Sequence, residues 1–444
     1  MEIICPSYVN TALRLLEVSG FKAYAVGGCV RDSIMGREPN DWDMTTSALP
    51  DEIQKTFAQF KTIPTGIKHG TITVIIEGKP LEITTMRIDG EYQDNRRPET
   101  VEFTDEIAMD LSRRDFTANA MAYNPNEGIV DPYGGRDDIK KGLIRCVGDP
   151  DKRFNEDALR IIRAMRFASV LGFDIEKNTA ESIMKNRSLL ENVANERIRT
   201  ELVKLLCGRN SEQILTEYKE IVFDIIPELK ASDGFDQCTP YHIYDVWTHT
   251  VKVVASAPKT KVMRVAALLH DVSKPECVFT DTYGTRHFFG HSEKGAERAK
   301  QIMQRLRFSN EDINGVCSII LLHEEFPDGN RIKLAKLCSK YSVKEVRNAV
   351  NFMFADSEGK NPEYLADSKK SYELALRQLD EFEREKLCLK IADLKVNGND
   401  LKKQGIEGRR IKLILEKLLE EVIEGKISNE KTELFDRIKY LKNI

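Results

Sequence analysis

"YAVGGCVRDSIMGREPNDWDMTT", Tyr24 to Thr46, decides the fold of the N-terminal part of the chain. The apolar run Tyr24 to Val26 ends at Gly27-Gly28, as a strand does where it turns sharply. Two aspartates, Asp41 and Asp43, then bracket Trp42. Positions i and i+2 of a strand share a face. A strand over "NDWDMT" therefore presents both carboxylates to one side and Trp42 to the other. Two carboxylates on rigid backbone suit Mg²⁺, a hard ion that keeps several waters and shares substrate phosphates. The glycines add close backbone approach and exposed N–H donors for a triphosphate. Asp-x-Asp alone more often marks a polar, helix-capping turn than a metal site, so the surrounding sequence has to decide.

The chain has 444 residues, enough for two to four domains. With 41% hydrophobic and 31% charged residues it reads as a soluble globular protein. The net charge of −4 argues against a generally basic nucleic-acid binder and leaves room for local basic patches. Nine cysteines without a C-x-x-C pair fit free thiols in a reducing cytoplasm. No secretory signal or membrane-spanning run is expected, and no membrane or protein partner.

Residues 1–145 read as mixed α/β. "VNTALRLLEVSG" has helical periodicity, "KAYAVGG" is a strand with a glycine turn, and "GTITVIIEGKPLEITTMRI" alternates as a hairpin around Gly-Lys-Pro. From "RFNEDALRIIRAMRFASVL" onward the pattern is helical, with "NVANERIRTELVKLL" a second capped amphipathic helix. The fold class expected is α+β. Its boundaries fall near Cys146, Ser232-Asp233-Gly234 and Gly359-Lys360-Asn361-Pro362.

The opening stretch resembles the metal-binding motif of the polymerase-β nucleotidyltransferase superfamily. More narrowly, it is similar to class II tRNA nucleotidyltransferases (CCA-adding enzymes) and their poly(A) polymerase relatives. The resemblance continues through "RRDFTANAMAY" (113–123), residues 131–168 and "ERIRTEL" (196–202). It implies a polymerase-β-like α/β head (1–145), then an all-helical neck (146–234), body (235–361) and tail (362–444). It implies that Asp41 and Asp43 hold Mg²⁺ and that Gly28, Arg31 and Arg114 meet the nucleotide, with Asp115 and Asn119 near the sugar. Glu82, between apolar Leu81 and Ile83, is placed to be a third carboxylate or simply a solvated strand residue. Residues 87–103 resemble the flexible loop of enzymes that add the whole CCA, which is shortened in CC-only adders.

Asp157, Arg160, Arg163 and Arg166 are spaced by three on a predicted helix, so Asp157 and Arg160 lie side by side. Cytosine and adenine both carry an exocyclic amine beside an unprotonated ring nitrogen. An Asp accepts from the amine and an Arg donates to the nitrogen, whereas uracil and guanine reverse the pattern. The resemblance assigns this selection to Asp157 and Arg160, with Arg163 and Arg166 also on the nucleotide. An exposed ion-pair ladder is the plain alternative for such spacing.

Six of seven histidines fall between 242 and 323. His249, His270-Asp271, His291, His323 and Asp356 resemble the HD phosphohydrolase pattern, which implies a second divalent-metal site acting on phosphate esters, with His287 assisting phosphate. In the tail, Lys402, Lys403, Arg409, Arg410, Lys412 and Lys417 form a local basic surplus suited to RNA phosphates. The reading that results is a cytoplasmic enzyme that adds CCA to tRNA from CTP and ATP. Its rivals are a poly(A) polymerase, a CC- or A-only adder, and an HD phosphohydrolase with a nucleotide-sensing N-terminal domain.

Overall fold

A computed structural model describes residues 2–67, 70–90, 100–325 and 328–441. The chain divides into two compact units, Met1–Pro227 and Glu228–Ile444. The head and most of the neck expected from sequence fall in the first; residues 228–234 of the neck, the whole body and the whole tail fall in the second.

The first unit opens with the helix Ser7–Val18 and is built on a seven-stranded sheet. Its strand order is Lys61–Gly66, Thr71–Ile76, Lys79–Thr85, Asp43–Thr46, Ala23–Val26, Ala122–Asn124, Gly128–Val130. Every neighbouring pair is antiparallel except 43–46 with 79–85. That parallel pair sets Asp43 directly opposite Glu82. The core behind it is apolar, with Met44, Ile53, Phe57, Ile72, Leu81 and Ile83 fully buried.

Two local expectations are corrected. The strand starts at Asp43, so Asp41 lies just before it and the two carboxylates do not share a pleat by strand alternation. Trp42 is buried in the core and anchors the approach. The hairpin turn is Glu77-Gly78, not Gly-Lys-Pro. Both residues have positive φ, 52° and 75°, as a tight two-residue hairpin turn requires, and Lys79 and Pro80 already belong to the next strand. Residues 91–99 of the expected loop lie outside the described residues; its ends pair as Arg87–Asp89 with Val101–Phe103.

The rest of the first unit is largely helical. The predicted recognition helix is broken: one helix is Pro150–Glu156, the next Leu159–Leu171, and Asp157 between them is extended (φ −142°, ψ 101°). Asn195–Leu206 packs along the second of these; Ala194 at its start provides no side-chain cap.

In the second unit the helices Val246–Ser256, Lys261–Leu269, His291–Arg305, Asn310–Leu322 and Val343–Glu358 pack around a common centre. The helical expectation misses one feature, a short hairpin pairing Phe279–Thr280 with Arg286–His287. The tail forms Gly398–Lys403, a glycine turn and Arg409–Ile423. Its six singled-out basic residues are all exposed.

Candidate nucleotide site and candidate metal centre

Gly27 closes the strand Ala23–Val26 with φ +79°, a conformation glycine adopts without strain. A Cβ there would sit 2.9 Å from Nη1 of Arg114, so the missing side chain is what lets that guanidinium approach the backbone. The residue with the backbone requirement is therefore Gly27, while Gly28, named from sequence, lines the same cavity.

That cavity, about 470 Å³, is lined by Gly27, Gly28, Arg31 and Asp43 on the sheet side. Arg113, Arg114, Asp115, Asn119, Asp157, Arg160, Arg163, Arg166 and Arg197 complete the wall. Every nucleotide-binding residue named from sequence is brought here. A neighbouring cavity of about 850 Å³ is lined by Asp41, Asp43 and Glu82, so Asp43 borders both.

The polar side chains hold one another. Nη1 of Arg31 donates to Asn119 Oδ1 (2.6 Å), Asn119 Nδ2 donates to Asp115 Oδ1 (3.0 Å), and Asp115 Oδ2 accepts from Arg163 Nε and Nη2 (3.0 and 2.6 Å). Arg166 stacks on Phe167 at 3.6 Å and pairs with Glu201 at 2.8 Å. Burial opposes charge on Asp115, but Arg163 and Asn119 outweigh it and hold the carboxyl well below its usual range. Burial, reinforced by Arg163 and Arg31, pushes Arg166 down to about 10. The cavity thus concentrates guanidinium charge as a triphosphate site needs.

A group whose folded pKa is depressed gives stability above its unfolded pKa and loses it as pH falls. Asp115 therefore supports the fold fully above about pH 5 and progressively less below about pH 4. Asp115→Asn is expected to flatten that acid limb in a pH series of thermal melts and to cost about 3 kcal/mol at neutral pH, since Arg163 loses its buried partner.

Asp157 and Arg160, the pair expected to select the base, are arranged differently from that expectation. Asp157 is engaged by Arg197, Nη1 to Oδ1 3.2 Å and Nη2 to Oδ2 2.9 Å. Arg160 instead donates to Glu156 (2.8 Å) and to the carbonyls of Arg153 and Arg113. The helix break turns Asp157 away from the ladder and toward the helix 195–206. Arg197 was quoted within "ERIRTEL" but given no role; its distance in sequence from Asp157 hid the pairing.

Asp41, Asp43 and Glu82 are exposed. Partial desolvation, then the charges of Glu82 and Asp41, raise Asp43, with Arg114 opposing. Three carboxylates lining one cavity, two of them in register across the parallel strand pair, suit a hard divalent cation.

In the second unit His249, His270, Asp271, His291, His323 and Asp356 are all buried. They form two candidate triads that share Asp271: His249-His270-Asp271 and Asp271-His291-His323. Asp356 lies 3.0 Å from His249 Nε2 and 3.6 Å from His270 Nε2. Each ring points Nδ1 at a backbone carbonyl: His249 at Gly359 (2.9 Å), His270 at Ala267 (2.9 Å), His291 at Phe288 (2.8 Å) and His323 at Ile320 (2.6 Å). A carbonyl only accepts, so Nδ1 carries the proton and Nε2 faces inward with its lone pair. The inward nitrogens meet in pairs, His249 with His270 and His291 with His323, both at 3.2 Å. Oδ1 of Asp271 is buried without a hydrogen-bond partner. Opposed lone pairs and an orphaned carboxylate oxygen are what divalent cations would satisfy. Burial lowers His249 and pushes His323 down to about 3, the neutral form ligation needs; Asp271 and Asp356 overcome burial at His270 and raise it to about 9, so without a metal its Nε2 holds a proton that a cation would displace. Sequence reasoning missed Lys274 and Lys360, which pair with Asp271 (2.7 Å) and Asp356 (2.6 Å). His287 is held by Asp281 at 2.9 Å and lines the same cavity.

Comparison with known proteins agrees with this architecture. Residues 23–145 match the poly A polymerase head domain family, and residues 172–231 match a family described as the probable RNA- and SrmB-binding site of polymerase A. Residues 288–438 match a putative domain 2 of tRNA nucleotidyltransferases. Fold and site thus define a nucleotidyltransferase.

A CCA-adding enzyme of Ligilactobacillus salivarius is 34% identical over 450 aligned positions, covering 98% of this chain and 97% of that protein. One from Lactobacillus helveticus is 50% identical over 201 residues, so the chain spans about half (50%) of that relative's length there. The crystal structure of the Bacillus stearothermophilus CCA-adding enzyme in complex with CTP superposes with a TM-score of 0.74 at 27% identity, covering 99% of this chain and 98% of that one. The chain belongs to the family of CCA-adding enzymes.

Proposed function

We propose that the chain completes the 3′ end of tRNA by adding C, C and A from CTP and ATP without a nucleic-acid template, in the cytoplasm. The observation that carries this is the arginine-rich cavity that opens at Asp43 onto the carboxylates Asp41 and Glu82. The family relationship and the CTP complex of the B. stearothermophilus relative support it. The 3′ hydroxyl oxygen of the RNA bonds to the α-phosphorus, the bond from that phosphorus to the bridging oxygen breaks, pyrophosphate departs, and the hydroxyl loses its proton. Asp41, Asp43 and Glu82 would hold Mg²⁺, which when bound neutralises charge on the triphosphate. Arg31, Arg114 and Arg163 orient the phosphates, so catalysis is mostly positioning. Asp157, steadied by Arg197, accepts from the exocyclic amine of C or A, and Arg160 reaches the ring nitrogen after leaving Glu156. The exposed basic residues of 402–417 contact tRNA phosphates.

The test is extension of tRNA lacking CCA with each nucleoside triphosphate singly and in pairs. Addition of two residues with CTP alone, and of a third when ATP is also present, is the expected pattern. Long A tracts, or a stop after CC with both nucleotides present, contradict it.

A second activity is favoured by the paired histidines around Asp271. These residues would hold one or two divalent ions, whose chemistry when bound is to make a water more acidic. The residues of the chain orient a phosphate ester: Lys274 and Lys360 line the cavity beside Asp271 and Asp356. Water oxygen bonds to phosphorus, the ester P–O bond breaks, and the alcohol leaves with a proton.

A further inference from the structure

The short hairpin missed by the helical pattern leads straight into the histidine cluster. It runs from Val278 to Phe289, and Gly290 and His291 follow at once. Large aromatic side chains on it face solvent: Phe279 is 58%, Tyr283 93% and Phe289 76% exposed. Such residues are poor choices for a plain solvated turn.

Phe279 and Phe289 form a short series with His287. The rings of His287 and Phe289 are stacked, 5.5 Å apart and within 4° of parallel. Phe279 lies 6.4 Å from His287, its ring tilted by 36° rather than stacked. The inner end of the series, His287 and Phe289, lines the cavity of about 650 Å³ that also contains Asp271, His291, His323 and Lys360. A histidine-lined cavity that took only small phosphate esters would need no flat apolar rings along its mouth. Unpaired nucleobases present flat π faces, and stacking on aromatic side chains is how single strands are held regardless of sequence. The cavity wall also carries Glu293, Glu324 and Glu325, so stacking, rather than a broadly positive channel, must carry the binding.

We infer that the hairpin of residues 278–289 is a stacking platform for the last unpaired bases of a single-stranded RNA 3′ end, whose terminal phosphate enters the histidine-lined cavity. This rests on the phosphohydrolase reading given above. The platform makes that site a reader of RNA ends, where Phe289 and Phe279 set a preference for an oligonucleotide over a phosphate ester without a base.

The test uses the full chain. A hexaribonucleotide with a 3′-phosphate and one 4-thiouridine next to its 3′ end is photo-cross-linked without added metal. The modified peptide is then mapped. In parallel, Mn²⁺-loaded wild type, Phe289→Ala and Phe289→Trp hydrolyse the hexanucleotide 3′-phosphate and glycerol 2-phosphate. The expected result is a cross-link within 278–290. Phe289→Ala should also show about ten-fold lower kcat/KM on the oligonucleotide, a clearly larger loss than on glycerol 2-phosphate, with Phe289→Trp restoring the preference. Cross-links confined to other segments, or Phe289→Ala acting equally on both substrates or on neither, overturn the inference. If wild type hydrolyses neither ester while the cross-link still maps to the hairpin, the phosphohydrolase reading fails and the RNA platform stands.

Discussion

Asp43→Ala lowers CMP addition by about 10³-fold or more, because several kcal/mol of charge stabilisation at the triphosphate depends on it. Asp43 is shared by the arginine-rich cavity and the neighbouring cavity of Asp41 and Glu82, and it lies in register with Glu82 across the parallel strand pair. Its side chain is exposed, so the substitution leaves the sheet intact. The partial desolvation, and the repulsion from Glu82 and Asp41, that raise its pKa disappear with it, and the thermal midpoint should hold or rise slightly. Asp41→Ala should be as damaging to the metal and less informative about the fold, since Asp41 precedes the strand. Single-turnover extension of tRNA, read beside a thermal melt, measures both quantities. Ester hydrolysis at the histidine cluster should stay unchanged. Retention of CMP addition within ten-fold would show that the carboxylates do not serve the transfer.

Asp271→Ala has the second largest effect, with the opposite selectivity. Asp271 belongs to both candidate triads, so its removal takes a ligand from each. Metal content, measured by elemental analysis after dialysis, should fall to near zero, and phosphate-ester hydrolysis with it. Nucleotide addition should persist. The metal-free fold should also lose about 3–5 kcal/mol, because Lys274 then lies buried without its carboxylate. Asp271→Asn keeps the shape and isolates the charge. An unchanged metal content in both variants would contradict the shared-ligand arrangement.

Much of the first site was legible because its residues are close in sequence or sit on periodic elements. The glycine pair, the strand after it and Asp43 follow from local pattern, and Glu82 follows from the alternation of "LEITT". What was hidden depends on chain geometry that periodicity does not carry. A three-residue spacing reads as one helix from Asp157 to Arg166, yet the chain breaks at Asp157, whose Oδ1 accepts from the amide of Leu159 as a helix-starting aspartate does. That signal was present in "NEDALR". The Asp157–Arg197 pair was not, since forty residues separate the partners. In the second unit the histidines were legible by their rarity, and Asp271 and Asp356 by the resemblance to the HD pattern, but the carbonyl partners that aim each ring, and the lysines beside Asp271 and Asp356, emerge only on folding. The hairpin 279–287 was hidden by its two-residue strands, too short for alternation to register.

Crystals soaked with CTP and Mg²⁺ test the central claim most directly. The account predicts metal density between Asp41, Asp43 and Glu82, the triphosphate against Arg31 and Arg114, and the cytosine amine on Asp157. Nucleotide bound elsewhere, with those carboxylates pointing into solvent, would contradict it.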